Sequence, residues 1–110
     1  MHFQVQRTAD KVSIQLEGLL DRQSVPRIRK NLLRTAKKSG VGSMEVDLSR
    51  VTGLDTAGIA LMVELFRTLS SRDGKLRLTG LNDQAIKMIR LARLDALFQV
   101  NNASMGAEDG

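Results

Sequence analysis

The side chains that could do chemistry in this sequence are few, and they gather in one stretch. Asp47 and Asp55 lie eight positions apart, and paired carboxylates are typical of acid–base and divalent-metal sites. Thr56 follows Asp55 directly and adds a hydroxyl. His2 is the only histidine, near the start of the sequence, and there is no cysteine. Neither a serine–histidine nor a cysteine–histidine nucleophile is therefore available, and thiolate metal sites are excluded.

Both aspartates also have structural roles that compete with catalysis. Asp47 is typical of a hydrogen-bonding residue at a strand end. Asp55 is typical of a helix N-cap, whose side-chain oxygen accepts a bond from a free backbone N–H. No convergent set of acids, bases and oxyanion donors surrounds them in the sequence. The glycine-rich loop with lysine that cradles nucleotide phosphates is also missing. We therefore predict a protein that is not an enzyme and that has no metal site and no cofactor.

A strand and a helix must position Asp55 and Thr56. Residues 44–48 alternate between apolar and polar types, which predicts a strand with one face buried. Residues 58–69 are mostly apolar, which predicts a helix buried on most sides. Asp55 and Thr56 are both good N-caps. We predict that residues 53–58 form a tight loop at which the positive end of the helix opens.

The same periodicities predict the other elements. Strands are expected around residues 3–5, 12–16 and 75–81, and helices around 24–39 and 82–89. A last short turn and edge strand are expected from Leu94, Leu97, Phe98 and Val100. Ser24 is the predicted cap of the first helix, and Asn82 or Asp83 that of the third. The order predicts a single α/β domain with a mostly parallel mixed sheet of about five strands, in which the N-terminal strand is an antiparallel edge.

The apolar faces of these elements predict the core. The residues expected there are Val46, Leu48, Ile59, Val63, Phe66, Leu78 and Ile89. The length of 110 residues suits one domain, which we place at residues 1–100. Residues 101–110 contain Met105 as their only large apolar residue, so we predict a disordered C-terminal tail there.

Composition limits the classes of partner. The net charge of +5 permits an acidic protein, a nucleic acid or an anionic surface. With three Phe and no Trp or Tyr, few rings could stack on bases, so binding of nucleic acid through the basic first helix is a remote alternative. No apolar run approaches the roughly 20 residues of a membrane span, and no signal peptide is readable. We therefore expect no direct membrane insertion and a cytoplasmic location.

Several short motifs, in their order and spacing, resemble the STAS family, the domain of anti-sigma-factor antagonists and of the cytoplasmic tails of sulfate transporters. They are Gly18-Leu19-Leu20-Asp21, Asp47-Leu48-Ser49, Asp55-Thr56-Ala57-Gly58 and Leu91-Ala92-Arg93-Leu94. The resemblance extends from about Val12 to Val100. It implies helices that pack largely on one face of the sheet.

The resemblance also implies a protein-docking role for the loop of Leu54, Asp55, Thr56, Ala57 and Gly58. In phosphorylation-controlled antagonists the modified residue generally follows the motif aspartate, which here makes Thr56 the candidate. Ala57 stands where many antagonists have a second Ser or Thr. It looks more like the small STAS subunits of phospholipid-transport ABC systems, in which the threonine helps to dock on the ATPase subunit. The expected partner is therefore such an ATPase, with an anti-sigma factor or related serine kinase as the alternative.

Overall fold

A computed structural model describes residues 2–94 and 99–101 of the chain. Five strands and three helices follow one another in the order β1 (His2–Thr8), β2 (Lys11–Leu20), α1 (Val25–Ala36), β3 (Ser43–Leu54), α2 (Thr56–Ser70), β4 (Lys75–Thr79), α3 (Asp83–Leu91) and β5 (Gln99–Asn101). The alternation of strands and helices after β2 confirms the predicted α/β class.

The strands form one mixed sheet in the order β1-β2-β3-β4-β5. Only β1 pairs antiparallel, with β2, and the other neighbours are parallel, as predicted. Val46 lies at the centre, between Ile14 of β2 and Leu78 of β4. Strands β2, β3 and β4 bury alternate residues on the same face. The helix layer covers that face, and a polar face remains open on the other side.

The core lies between the helix layer and the buried sheet face. Five of the seven predicted core residues are buried, namely Val46, Leu48, Ile59, Leu78 and Ile89. Val63 and Phe66 were predicted wrongly, because both are only partly buried at the margin of the core. Helix α2 instead buries Leu61, Met62, Leu65 and Leu69. Since this helix is apolar on nearly every side, its sequence period does not fix which side turns inward.

The rotation of α2 can be tested with two alanine variants. Leu65→Ala should cost about 2–5 kcal/mol of unfolding free energy, because Leu65 is fully buried. Phe66→Ala should cost only about 1–2 kcal/mol, since part of the ring is exposed. Urea denaturation of both variants measures the difference. A larger loss for Phe66→Ala than for Leu65→Ala would mean that the helix is turned the other way.

Strand β3 is longer than predicted. It continues to Leu54, so the predicted loop 53–58 shrinks to Asp55 between the strand and α2. Beyond Asp47 the strand has no further pairs with β4 in the described residues, but it stays paired with the end of β2 through two register shifts. These shifts interrupt the alternation of apolar residues, which is why periodicity ended the strand too early.

Gly80 directly follows β4 and lies against Ser49 of β3, next to the first of these register shifts. Its φ of +71° lies in the left-handed region, which is costly for residues with a Cβ. A Cβ at this position would stand 2.6 Å from the backbone nitrogen of Ser49. Gly80 therefore lets the chain leave β4 in close contact with β3.

The helix caps differ from the sequence prediction in one case. Asn82 caps α3 as predicted, since its Oδ1 accepts from the Ala85 N–H at 2.8 Å. Ser24 precedes α1, but its side chain makes no capping bond. Its Oγ instead donates to the Leu19 carbonyl at 2.6 Å and accepts from the Asp21 N–H at 3.0 Å. Ser24 thus joins the end of β2 to the start of α1.

The predicted last edge strand is confirmed by the pairing of β5 with β4. Asn101, which we placed in the disordered tail, belongs to this strand. Leu97 and Phe98 of the predicted turn and residues 102–110 of the predicted tail lie outside the described residues. Among the helices of residues 2–94, none combines the length and the apolar character needed to cross a membrane.

Candidate functional site

Asp55 fixes the start of α2. Its Oδ1 accepts from the backbone N–H groups of Ala57 at 2.8 Å and of Gly58 at 3.3 Å. Asp55 has an extended backbone and is the N-cap, so Thr56 is the first helical residue. Of the two caps that the sequence allowed, the structure uses Asp55. The hydroxyl of Thr56 is therefore not needed for capping.

The carboxylate of Asp55 also holds the neighbouring turn between β2 and α1. Its Oδ2 accepts from the Arg22 N–H at 3.3 Å, and the Asp55 N–H donates to the Leu20 carbonyl at 3.2 Å. These contacts arise because β2 and β3 are parallel, with Leu20 beside Leu54. The chain after each strand therefore emerges at the same edge of the sheet, and one side chain joins the two connections.

Thr56 is the exposed member of the predicted docking loop. Leu54, Asp55 and Ala57 are partly buried, and Gly58 is buried. No hydrogen bond of the Thr56 hydroxyl is present in residues 2–94 and 99–101. The hydroxyl stands on the first turn of a 15-residue helix, whose N-terminal end favours negative charge. It is thus accessible to a modifying enzyme, and a phosphate there would be electrostatically tolerated by the helix.

Gly58 allows α2 to start close to β2. A Cβ at this position would stand 2.8 Å from the Leu20 carbonyl oxygen and 2.5 Å from Cδ1 of Leu54. The first contact is with backbone, so it could be relieved only by moving the helix away from the strand. The glycine of the motif therefore has a packing role that holds Thr56 at its present distance from the β2–α1 turn.

Asp21 organises that turn. Its Oδ1 accepts from the N–H groups of Ser24 and Gln23, both at 3.0 Å. The bond from Ser24 is the main cause that lowers the pKa of Asp21 below its ordinary value, and the bond from Gln23 adds to it. Because these bonds favour the charged form, the turn is best ordered when Asp21 is ionised.

We expect Asp21 to make the stability of the fold depend on acidic pH. A carboxyl whose pKa is lower in the folded chain stabilises the fold above its unfolded pKa, and this contribution disappears as the pH falls through the folded pKa. Asp21→Asn should therefore be less stable than wild type at pH 7, and the difference should shrink below about pH 4. Urea titrations at pH 7 and pH 3 measure it. An equal difference at both pH values would contradict the assignment.

Asp47 does not join Asp55 in a catalytic or metal pair. Eight residue steps along and just beyond β3 separate them, which is roughly 25 Å of extended chain. Asp47 lies on the open face, where its Oδ1 accepts from the Ser49 N–H at 2.9 Å. Partial burial acts to raise the pKa of Asp47, but bonds from Ser49 and Gln15 outweigh it, so the pKa is lowered. In the described part of the chain, no three potential ligands gather around a metal position.

The β2–α1 turn contributes to this site, and this contribution was not predicted from the sequence. Asp21 was part of a motif, but neither it nor Arg22 was predicted to lie beside Asp55. Leu19 next to them is 56% exposed, and it leans over Gly53 of β3. The signal was present in the prediction of parallel strands, since the connections that follow such strands share one edge of the sheet.

Comparison with known proteins identifies the family. Residues 3–99 match the family model described as "Mlab, STAS domain". The chain belongs to the STAS domain family. An anti-sigma-B factor antagonist of Listeria monocytogenes is 26% identical over 97 residues, which are 88% of this chain and 84% of that protein.

Solved structures share the fold of this STAS domain. The Bacillus cell fate determinant SpoIIAA in its phosphorylated form has a TM-score of 0.74 at 21% identity and covers 98% of both chains. An anti-sigma-factor antagonist (STAS) domain protein from Planctomyces limnophilus has a TM-score of 0.80 at 14% identity, and the match covers 96% of this chain and 93% of that one. At these identities the likeness concerns the fold.

The basic side of α1 in this STAS domain is exposed to solvent. Its residues are Arg27, Arg29, Lys30 and Arg34, and Lys37 follows at the C-cap. Arg29 forms a two-bond ion pair with Glu64 of α2. Its Nε donates to Oε1 at 2.8 Å, and its Nη2 donates to Oε2 at 2.5 Å. The hydrogen bond between them raises the pKa of Arg29 and lowers that of Glu64. One of these cations thus contacts a neighbouring helix.

Proposed function

We propose that this STAS domain is an anti-sigma-factor antagonist, a non-catalytic module that docks on a protein partner and is switched by phosphorylation of Thr56. The observation that carries the proposal is the exposed Thr56 hydroxyl directly after the capping Asp55. The anti-sigma-B factor antagonists among its relatives and the phosphorylated SpoIIAA among its structural neighbours support it. The partner would be an anti-sigma factor with serine kinase activity.

The docking surface in this proposal has two parts. Thr56 and the partly buried Leu54 and Ala57 form one part, at the start of α2. The turn at Arg22 and the exposed Leu19 form the other, and Asp55 joins the two. A phosphate on Thr56 would add about two negative charges to this surface. The added charge and bulk would weaken docking on the partner. The module would stay folded, because the N-terminal end of the helix tolerates negative charge.

The proposal is tested by incubating the chain with ATP and an anti-sigma serine kinase from the same genome. We expect the chain to gain one phosphate, which peptide mass spectrometry should locate on Thr56. Thr56→Ala should gain none. Thr52→Ala is a matched control, since Thr52 is an exposed threonine on β3, and it should be phosphorylated as wild type is. Phosphate on another residue, or unchanged kinase binding after phosphorylation, would refute the proposal.

A second candidate is the accessory subunit of a phospholipid-transport ABC system. Ala57 favours it, because the small STAS subunits of such systems commonly have a small residue after the threonine. Ala57 is partly buried and packs against the core. Co-purification with the ATPase subunit of such a system distinguishes the candidates. Under this alternative the ATPase would be retained through several washes, Thr56→Glu would release it, and no phosphate would be needed.

A further inference from the structure

Strand β1 forms one edge of the sheet. It pairs with β2 on one side, in an unbroken register from His2–Glu17 to Thr8–Lys11. Among residues 2–94 and 99–101, the sheet order places no strand beyond it. Its outer side therefore presents a row of backbone donors and acceptors, which is a template for another strand.

The turn after β1 shows which groups face outward. Thr8 and Lys11 are joined through the two residues Ala9 and Asp10, and a two-residue hairpin closes on a hydrogen-bonded pair. Bonded and non-bonded pairs alternate along an antiparallel ladder. The even-numbered residues of β1 therefore bond to β2. Phe3, Val5 and Arg7 direct their N–H and C=O groups to the free side.

This edge lacks the usual devices that prevent strand pairing. Such devices are prolines, lysines, bulges and outward charges. The seven residues of β1 include no proline and no lysine, and their register with β2 shows no shift. Arg7 is the only arginine of the strand, and it folds back. Its Nε donates to the Ala9 carbonyl at 3.0 Å, and its Nη2 donates to the Ser39 carbonyl at 3.1 Å.

The side chains of β1 are self-complementary about Val5. In an antiparallel pair centred there, Val5 faces Val5, Gln4 faces Gln6, and Phe3 faces Arg7 of the other copy. The 42% exposed Val5 and the partly buried Phe3 share the face that carries the core. The glutamine amides can bond to each other on the open face. No like charges are opposed, whereas parallel pairing would place Arg7 against Arg7.

We propose that β1 pairs antiparallel with β1 of a second copy of this chain, across a two-fold axis at Val5. The dimer joins the two sheets into one ten-stranded sheet, because each contributes five strands. An isologous contact of this kind closes on itself and forms no fibre. Thr56 begins α2 just after β3, which is two strands inward from the paired edge. The interface therefore leaves the docking surface of both copies uncovered.

The absence of cysteine allows a direct cross-linking test. Facing residues of a hydrogen-bonded antiparallel pair have Cα atoms about 5.5 Å apart, within the range that a disulfide spans. Val5→Cys should form a disulfide-linked dimer under mild oxidation. Leu91→Cys is the control, because Leu91 is 80% exposed on α3, away from this edge. We expect Val5→Cys to cross-link at least about tenfold faster, since pairing holds the thiols together. Equal rates would overturn the proposal.

A second test measures the oligomeric state of wild type, Val5→Lys and Val5→Pro by analytical ultracentrifugation. Wild type should dimerise as its concentration rises, and Val5→Lys should remain monomeric. Val5→Pro should also remain monomeric, because it removes an N–H that faces solvent while the β1–β2 bonds stay intact. Circular dichroism should show that both variants are folded. A wild type that is monomeric at its highest soluble concentration, or a Val5→Lys variant that dimerises equally well, would overturn the proposal.

Discussion

Replacing Thr56 with glutamate is expected to abolish partner binding while the fold stays intact. Thr56 is exposed on the first turn of α2, where a negative charge interacts favourably with the helix end. Stability should therefore remain within about 1 kcal/mol of wild type. In the complex, the new carboxylate would lose its water without gaining a matching cation from the partner. This costs several kcal/mol of binding free energy, which lowers affinity by roughly a hundredfold or more. Calorimetric titration of the partner and a thermal melt measure the two effects.

Two variants complete the Thr56 experiment. Thr56→Ser keeps the hydroxyl and should preserve both binding and stability. Thr8→Glu makes the same chemical change at an exposed threonine in β1 and should leave partner binding unchanged. Thr8 pairs with Lys11 where β2 begins, whereas Asp55 follows the far end of β3. If Thr56→Glu binds as tightly as wild type, the start of α2 is not the docking surface. The functional assignment would then fail, although the STAS fold would stand.

Replacing Gly80 with alanine should produce a large loss of stability from a single added methyl group. The φ of +71° imposes a left-handed conformation on the new residue, and its Cβ would stand 2.6 Å from the Ser49 nitrogen. The left-handed conformation should lower the free energy of unfolding by about 1–2 kcal/mol. The crowding of the added Cβ should lower it by about 1–3 kcal/mol more. We expect a total loss of about 2–5 kcal/mol in urea denaturation.

Gly42→Ala is the matched control for this prediction. Gly42 has no positive φ, and the nearest atoms to its added Cβ would belong to the Asp10 side chain, with Oδ2 at 3.0 Å. Because that side chain is exposed and can move, the loss should be below about 1 kcal/mol. Equal losses at Gly42 and Gly80 would show that β4 does not lie against the backbone of Ser49 as described.

Much of the fold was predictable from periodicity because the sheet buries one face only. Alternation in β2 and in the first half of β3 revealed the strands, and the stripe of Val25, Ile28, Leu32 and Ala36 revealed the buried side of α1. Helix α2 was different, because its apolar residues surround it. The sequence therefore predicted its existence but not its rotation, and Phe66 was misplaced.

The candidate site was predictable in its centre but not in its surroundings. The order of Asp55 and Thr56 before an apolar helix indicated a capped N-terminus, and the structure contains one. The hydrogen bond from Arg22 to Asp55 could not be read from the sequence, because it joins residues 33 positions apart. The close contact of Gly80 with Ser49 could not be predicted either, because it joins residues 31 positions apart in the sequence.

The extension of β3 past β4 gives the two halves of one strand unequal support. Up to Asp47 the strand has neighbours on both sides, whereas in the described residues its pairs from Arg50 to Leu54 are with β2 alone. A segment supported on one side opens at a lower free energy than the centre of a sheet. The end that leads into Thr56 can therefore fluctuate while Met44 to Asp47 remain closed. If Thr56 belongs to the docking surface proposed above, substitutions from Arg50 to Leu54 should change partner binding more than global stability.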